Sequence, residues 1–190
     1  KIMGKFERID GGLLENNLKP LVADLNFDIR AKSLGLTDNS NICGFLDGIS
    51  KNVVKLHSVL VGVLTEREVE GVLERIFFFL DREVFDIFEK SHNASLQADT
   101  NSPRNSPRVA NGAAGGMAQP SFKYPTTSQG RARLCFEVND MVTKLGNLTS
   151  KGTAAGTGMQ IHIAFSKKFN IQYSIPNGEK KAAEVQVVAT

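Results

Sequence analysis

Tryptophan is absent from this 190-residue chain, and cysteine and tyrosine occur twice each. Each scarcity closes off a class of protein. Cys43 and Cys135 set neither a disulfide framework nor a zinc pattern, and a reducing compartment is the simplest reading. His57, His92 and His162 are the only histidines, and none has a second His or Cys at ligand spacing, so no metal site is expected. The motifs H-E-x-x-H, G-x-S-x-G and GK[ST] are missing. Gly152 to Gly158 is glycine-rich but runs into Met159-Gln160 instead of Lys-Ser/Thr, so it is not a phosphate loop. No run approaches the ~18 apolar residues of a membrane span. An enzyme needs a pocket with convergent titratable groups. The sequence offers no such set, so no catalytic residue, cofactor or small-molecule substrate is expected.

The chain begins at Lys1 and not Met, which predicts a fragment of a longer protein. The lack of a signal peptide then says nothing about the parent. Asn93-Ala94-Ser95 and Asn147-Leu148-Thr149 are glycosylation sequons that matter only in a secreted chain, and nothing else points to secretion. The net charge of +3 is uneven: residues 1–93 carry 12 Lys/Arg against 15 Asp/Glu, and residues 94–190 carry 11 against 5. A basic C-terminal half can favour acidic lipid headgroups or nucleic acid. It is also what ordinary solvated surface looks like.

What the sequence does contain is helical patterning. Leu46, Ile49, Val53, Leu56, Leu60 and Val63 recur at spacings of three and four, one face of a helix. Thr65 with Glu68 three residues on is a capping box. Val69, Val72, Leu73, Ile76, Leu80, Val84 and Ile87 then form a second face, with Glu66, Glu68 and Glu70 at its start and Lys90 and His92 near its end, as the helix dipole favours. A tight antiparallel hairpin of helices is expected over 50–63 and 66–90, with Leu56 and Ile76 buried. A third helical pattern covers 6–30 (Leu14, Leu18, Leu21, Leu25, Ile29), with Pro20 kinking or restarting it. Residues 34–44 read as a turn-rich connection. A fourth helix is expected over 131–150, from Leu134, Val138, Met141, Leu145 and Leu148, although Leu134, Phe136 and Val138 also alternate as a strand would. Gly146 weakens its last turn by about 1 kcal/mol against Ala.

Between these helices, residues 94–130 hold four of the six prolines and few large apolar groups, which predicts a disordered linker. Ser102 and Ser106 each precede Pro and fit proline-directed phosphorylation, but Ser-Pro is common in any linker and that plainer reading is preferred. Residues 151–158 read as a second linker. Met159, Ile161, Ile163 and Phe165 alternate with polar or small residues, as do Phe169, Ile171, Tyr173 and Ile175. With Asn177-Gly178 and Val185 and Val187 they read as a small β-hairpin tail. The fold expected is therefore mainly α: an antiparallel helical bundle (1–93 and 131–150) with a disordered insertion (94–130) and a linker and β-rich tail (151–190).

Phe77, Phe78, Phe79, Phe85 and Phe88 concentrate in one predicted helix. Three consecutive Phe point about 100° apart, so one domain face cannot bury them all. These five residues are the candidate interaction surface, and at least one of them is expected to be exposed.

The run Ile49-Ser50-Lys51-Asn52-Val53-Val54-Lys55-Leu56-His57-Ser58-Val59-Leu60, with Val63-Leu64-Thr65-Glu66-Arg67-Glu68-Val69-Glu70 and Ile76-Phe77-Phe78-Phe79, resembles the C-terminal region of the vacuolar protein sorting-associated protein 54 family. Gly130-Arg131-Ala132-Arg133-Leu134 through Val138, Asn139-Asp140 and Leu145 looks like that region's last helix. The resemblance covers residues 10–93 and 130–150. The stretch 94–130 is longer than in the family, and 159–190 has no counterpart. Members are subunits of the Golgi-associated retrograde protein complex, a vesicle tether. The resemblance implies a non-catalytic helical interaction module, with other tether subunits as partners and peripheral membrane contact at the trans-Golgi network or endosome. It carries over no catalytic residue. A nucleic-acid-associated scaffold using the basic C-terminal half is the alternative, and a steep log-log salt dependence of binding would mark it.

Overall fold

In the computed structural model the described residues are 25–36, 41–100, 122–173 and 185–187. They are mainly helical: α1 Phe27–Leu34, α2 Gly44–Val61, α3 Glu66–Thr100, α4 Ser128–Gly146, a 3-10 turn Ala154–Thr157 and α5 Ile161–Phe169. One antiparallel pair of short strands follows, β1 Ile171–Tyr173 against β2 Val185–Val187. No helix among the described residues is long and apolar enough to cross a membrane.

The chain divides into two compact units, Lys1–Leu25 with Ile87–Lys123, and Asn26–Asp86 with Tyr124–Thr190. The second unit is built around α4. This helix packs against α1, α2, the 3-10 turn, α5 and the strands. The apolar set read from its sequence, Leu134, Val138, Met141 and Leu145, is buried. So are Ala132, Cys135, Phe136 and Val142, which lie outside that face. α4 is buried on nearly every side, wider than a surface helix needs. In the first unit, Phe88 of α3 is fully buried and meets Phe122 edge-on, ring centroids 5.0 Å apart.

The link between α2 and α3 follows the sequence closely. Glu68 Oε2 accepts the Thr65 backbone N–H at 2.9 Å and its hydroxyl at 2.8 Å, satisfying a donor that the helix cannot. Leu46, Ile49 and Val53 are buried, but Leu56 and Ile76 are only half-buried, and Val63 is exposed. The apolar stripe of α2 is thus covered over its first half and only partly covered over its second.

Several segments depart from the sequence reading. The helix expected over 6–30 is interrupted within its described part: residues 25 and 26 are not helical, and Asn26 N-caps α1 by accepting the Ile29 N–H at 3.0 Å. Residues 6–24 lie outside the described residues. α3 does not end near His92 but runs to Thr100, so residues 94–100 of the expected linker are helical. Ala94, Leu96, Gln97 and Ala98 are good helix formers, and that propensity carries the helix on. At the far side of the linker, Phe122 and Tyr124 are buried and Thr127 already caps α4, so 122–130 is ordered too. The rest of the expected linker, 101–121, including Ser102 and Ser106, lies outside the described residues.

Residues 151–158 are a packed turn and not a linker. A Cβ on Gly146 would come within 2.4 Å of the Thr153 backbone, so α4 and the 3-10 segment touch main chain to main chain. The strand expected over 159–165 is helix α5. Ile161 and Phe165 are buried while Ile163 is 37% exposed, the pattern of spacing four and not of spacing two. Asn170, at φ 52°, ends the helix in the left-handed conformation. In the β pair Ile171 stands opposite Val187, whereas a two-residue turn centred on Asn177-Gly178 would set it opposite Glu184. Residues 174–184 themselves lie outside the described residues.

Candidate interaction surface

The five candidate phenylalanines lie on one helix but meet different environments. Phe77 is 1% exposed and Phe88 is fully buried. Phe79 and Phe85 are half-buried. Phe85 packs on Phe165 of α5, centroids 5.1 Å apart. Phe78 is 75% exposed. The 100° step between consecutive helical residues explains the split, because burying Phe77 turns Phe78 outward.

The helix that carries Phe78 is packed along its opposite side. Val69, Leu73, Phe77, Leu80 and Val84 form the buried stripe of the same helix. Glu74, Arg75 and Arg82 surround the exposed ring on the outer face. Arg82 pairs with Glu83 at 2.9 Å at the surface, a contact of little energetic weight. Aromatic side chains are enriched in the cores of protein interfaces, with polar residues at the rim. A second apolar exposure lies where α2 ends, with Val59, Val61 and Val63 between 57% and 74% exposed.

Among the described residues, three clusters of charged groups have structural tasks. The deepest is on α4. Glu137 and Arg133 are fully buried, 2.7 Å apart. Glu137 Oε1 also accepts from Arg30 Nε at 3.0 Å and Nη2 at 2.9 Å, and its Oε2 accepts the Cys43 N–H at 2.7 Å. The guanidinium groups donate in turn to the Gly35 and Asn41 carbonyls. These bonds are made within the chain, and they join α1 and the entry to α2 to α4.

In the second cluster, Asp28 of α1 holds the start of α4. Its Oδ2 accepts the Thr126 N–H (2.9 Å) and hydroxyl (3.0 Å), and its Oδ1 accepts the Thr127 N–H (3.1 Å) and hydroxyl. Burial raises the Asp28 carboxyl, but the bonds from Thr127 and Thr126 outweigh it and hold the group below its ordinary range. In the third, Asp81 Oδ1 of α3 accepts the Gln160 and Ile161 N–H groups at 2.6 and 2.7 Å, closing the N-terminus of α5.

The cysteines are buried and free, and burial pushes both thiols up, Cys135 to about 12. Neither has the depressed pKa of a reactive thiol. Among the described residues no three His, Cys, Asp or Glu side chains converge as a metal site.

Arg30, Asp28, Asp81, Arg133 and Glu137 were not singled out in the sequence. Only Arg133 and Glu137 left a local mark there, their spacing of four, which reads equally well as a surface pair.

The described residues are mainly helical, and among them Phe78 is the large aromatic side chain that exposure singles out, at 75%. Comparisons of the chain with protein-family models, curated proteins and solved structures gave no match.

Proposed function

We propose that this chain is a non-catalytic protein-interaction module of a multisubunit vesicle tether in endosome-to-Golgi retrograde transport, and that Phe78 anchors a partner subunit. The exposure of Phe78 carries the reading: a ring three-quarters in water on a packed helix loses little entropy on being covered, and covering it removes a large apolar area from solvent. The tether assignment rests on the sequence resemblance at 49–70, 76–79 and 130–145. On this reading the protein works in the cytoplasm, peripherally at trans-Golgi or endosomal membranes, with other tether subunits as partners.

The test is capture of named tether subunits by the tagged full chain. Wild type retains them and Phe78→Ala loses more than about tenfold, the equivalent of ~1.4 kcal/mol. Failure of the wild-type chain to retain any tether subunit sinks the assignment. Equal capture by wild type and Phe78→Ala moves the anchor elsewhere.

A further inference from the structure

We propose that His162 makes the docking of α5 on α3 acid-sensitive. The geometry of the α5 N-terminus is the basis. His162 is the second residue of α5, in the turn where backbone N–H groups already concentrate positive partial charge. It is half-buried, and its Nδ1 is enclosed with no hydrogen-bond partner. The one carboxylate beside it, Asp81, already uses Oδ1 to accept the N–H groups of Gln160 and Ile161. A neutral imidazole fits this place. An imidazolium would add a cation to the positive end of the helix and enclose a second N–H proton with no acceptor.

The surrounding charges leave that balance in place. On α4, which also packs on α5, every charged side chain is engaged with another partner. Arg131 donates to the Pro125 carbonyl, Arg133 and Glu137 join Arg30, and Asp140 pairs with Lys144 at 2.8 Å. β1 contributes no side chain that ionises between about pH 5 and 8. Lys167 and Lys168 lie in the last turn of α5, with Lys168 over the Tyr124 ring at 4.7 Å. Asp81 on α3 is thus the charge that acts on His162. Burial lowers the imidazole below the ordinary histidine value, and the attraction of Asp81 offsets this only in part. The neutral form is therefore favoured in the docked state. The stabilisation is present above the ordinary value and is lost as the pH falls through the docked one.

Release of α5 would have a consequence for α3. Phe165 covers Phe85, and Phe85 stands seven residues, close to two turns, beyond Phe78 on the same helical face. Lifting α5 would place two rings on that face where one is now exposed. This consequence rests on the interaction surface proposed above, whereas the acid-sensitive docking does not.

The test is hydrogen exchange on the full chain from about pH 7.5 to about pH 5, corrected for intrinsic exchange, with the α4 amides as internal reference. The α5 amides from Ala164 to Phe169 should lose protection relative to α4 as the pH falls, and the loss should be absent from His162→Gln and His162→Asn. A flat wild-type profile overturns the proposal without need of either variant. So does an equal loss in wild type and in whichever variant folds. No partner is involved, so the result is independent of whether the chain binds a tether.

Discussion

Arg133 Nε and Glu137 Oε1 lie 2.7 Å apart, one turn along α4, with no part of either side chain exposed. The same helix carries Asp140 and Lys144 at the same spacing, 2.8 Å apart, with Lys144 40% exposed. The spacing is the same, but Glu137 is fully buried and also holds Arg30 and the Cys43 N–H, so the two pairs should differ in energy. Removing Glu137 strands a buried guanidinium and the Cys43 N–H, and Glu137→Ala should cost about 3–5 kcal/mol. Lys144→Ala removes a partly exposed cation and should cost no more than about 1 kcal/mol. Urea unfolding of the two variants checks this, and equal losses would show that the buried cluster is not what ties α1 and α2 to α4.

Glycine supplies a second contrast. In isolation, Gly→Ala within a helix stabilises by about 0.5–1 kcal/mol. At Gly71 of α3 an added Cβ meets nothing within 4 Å, so Gly71→Ala should gain that amount. At Gly146 the Cβ would lie 2.4 Å from the Thr153 carbonyl carbon and 2.6 Å from the Ala154 nitrogen, both main chain. Gly146→Ala should instead lose about 1–3 kcal/mol, the usual cost of overpacking. Thermal melts of the pair should move in opposite directions.

Asp28 makes the start of α4 sensitive to acid. Its native carboxyl lies below the ordinary value of 3.8, so its contribution is complete above that value and is lost as the pH falls through the native one. The group is half-exposed, and its contribution is held to about 1 kcal/mol, as for other capping carboxylates, after screening by water. Asp28→Asn should therefore flatten acid unfolding below about pH 4. Gly130→Ala should resemble it, because an added Cβ would fall on Asp28 Oδ1 and displace the carboxylate. If wild type and Asp28→Asn share one acid transition, other carboxylates govern it.

The parts of this fold legible in the sequence are those fixed locally. The Thr65–Glu68 cap needs only neighbours, and it lies where the pattern places it. Of the face read for α3, Val69, Leu73, Leu80, Val84 and Ile87 are buried as the spacing places them, while Val72 and Ile76 are half-buried. In the stretch that forms α5, Met159, Ile161, Ile163 and Phe165 satisfy period two, while Ile161 and Phe165 also satisfy period four. What favours the helix is in part a carboxylate 79 and 80 residues away, Asp81, closing its first turn. The Arg30–Arg133–Glu137 cluster was hidden for a related reason. Charges in a sequence read as surface, and only the tertiary fold brings Arg30 across 107 residues to neutralise Glu137. The aromatic run sits between these cases: the 100° step predicts that some Phe must turn outward, but only the packing selects Phe78.

That selection can be tested by comparing neighbours. Phe77 and Phe78 are adjacent and chemically identical, yet 1% and 75% exposed. Phe77→Ala should open a cavity and cost roughly 3–5 kcal/mol of stability. Phe78→Ala leaves no cavity and improves helix propensity, so its stability should stay within about 0.5 kcal/mol of wild type. Partner capture should show the reverse order when assayed well below the melting temperature of both variants: Phe78→Ala loses binding and Phe77→Ala retains it for as long as the chain is folded. Measuring unfolding and capture on the same preparations removes the common ambiguity of an interface mutant that has merely unfolded. Loss of both stability and binding in Phe78→Ala would mean that the ring is covered within this protein in solution. Loss of neither would move the anchor to another exposed apolar site, and the valines at the end of α2 would be tested next.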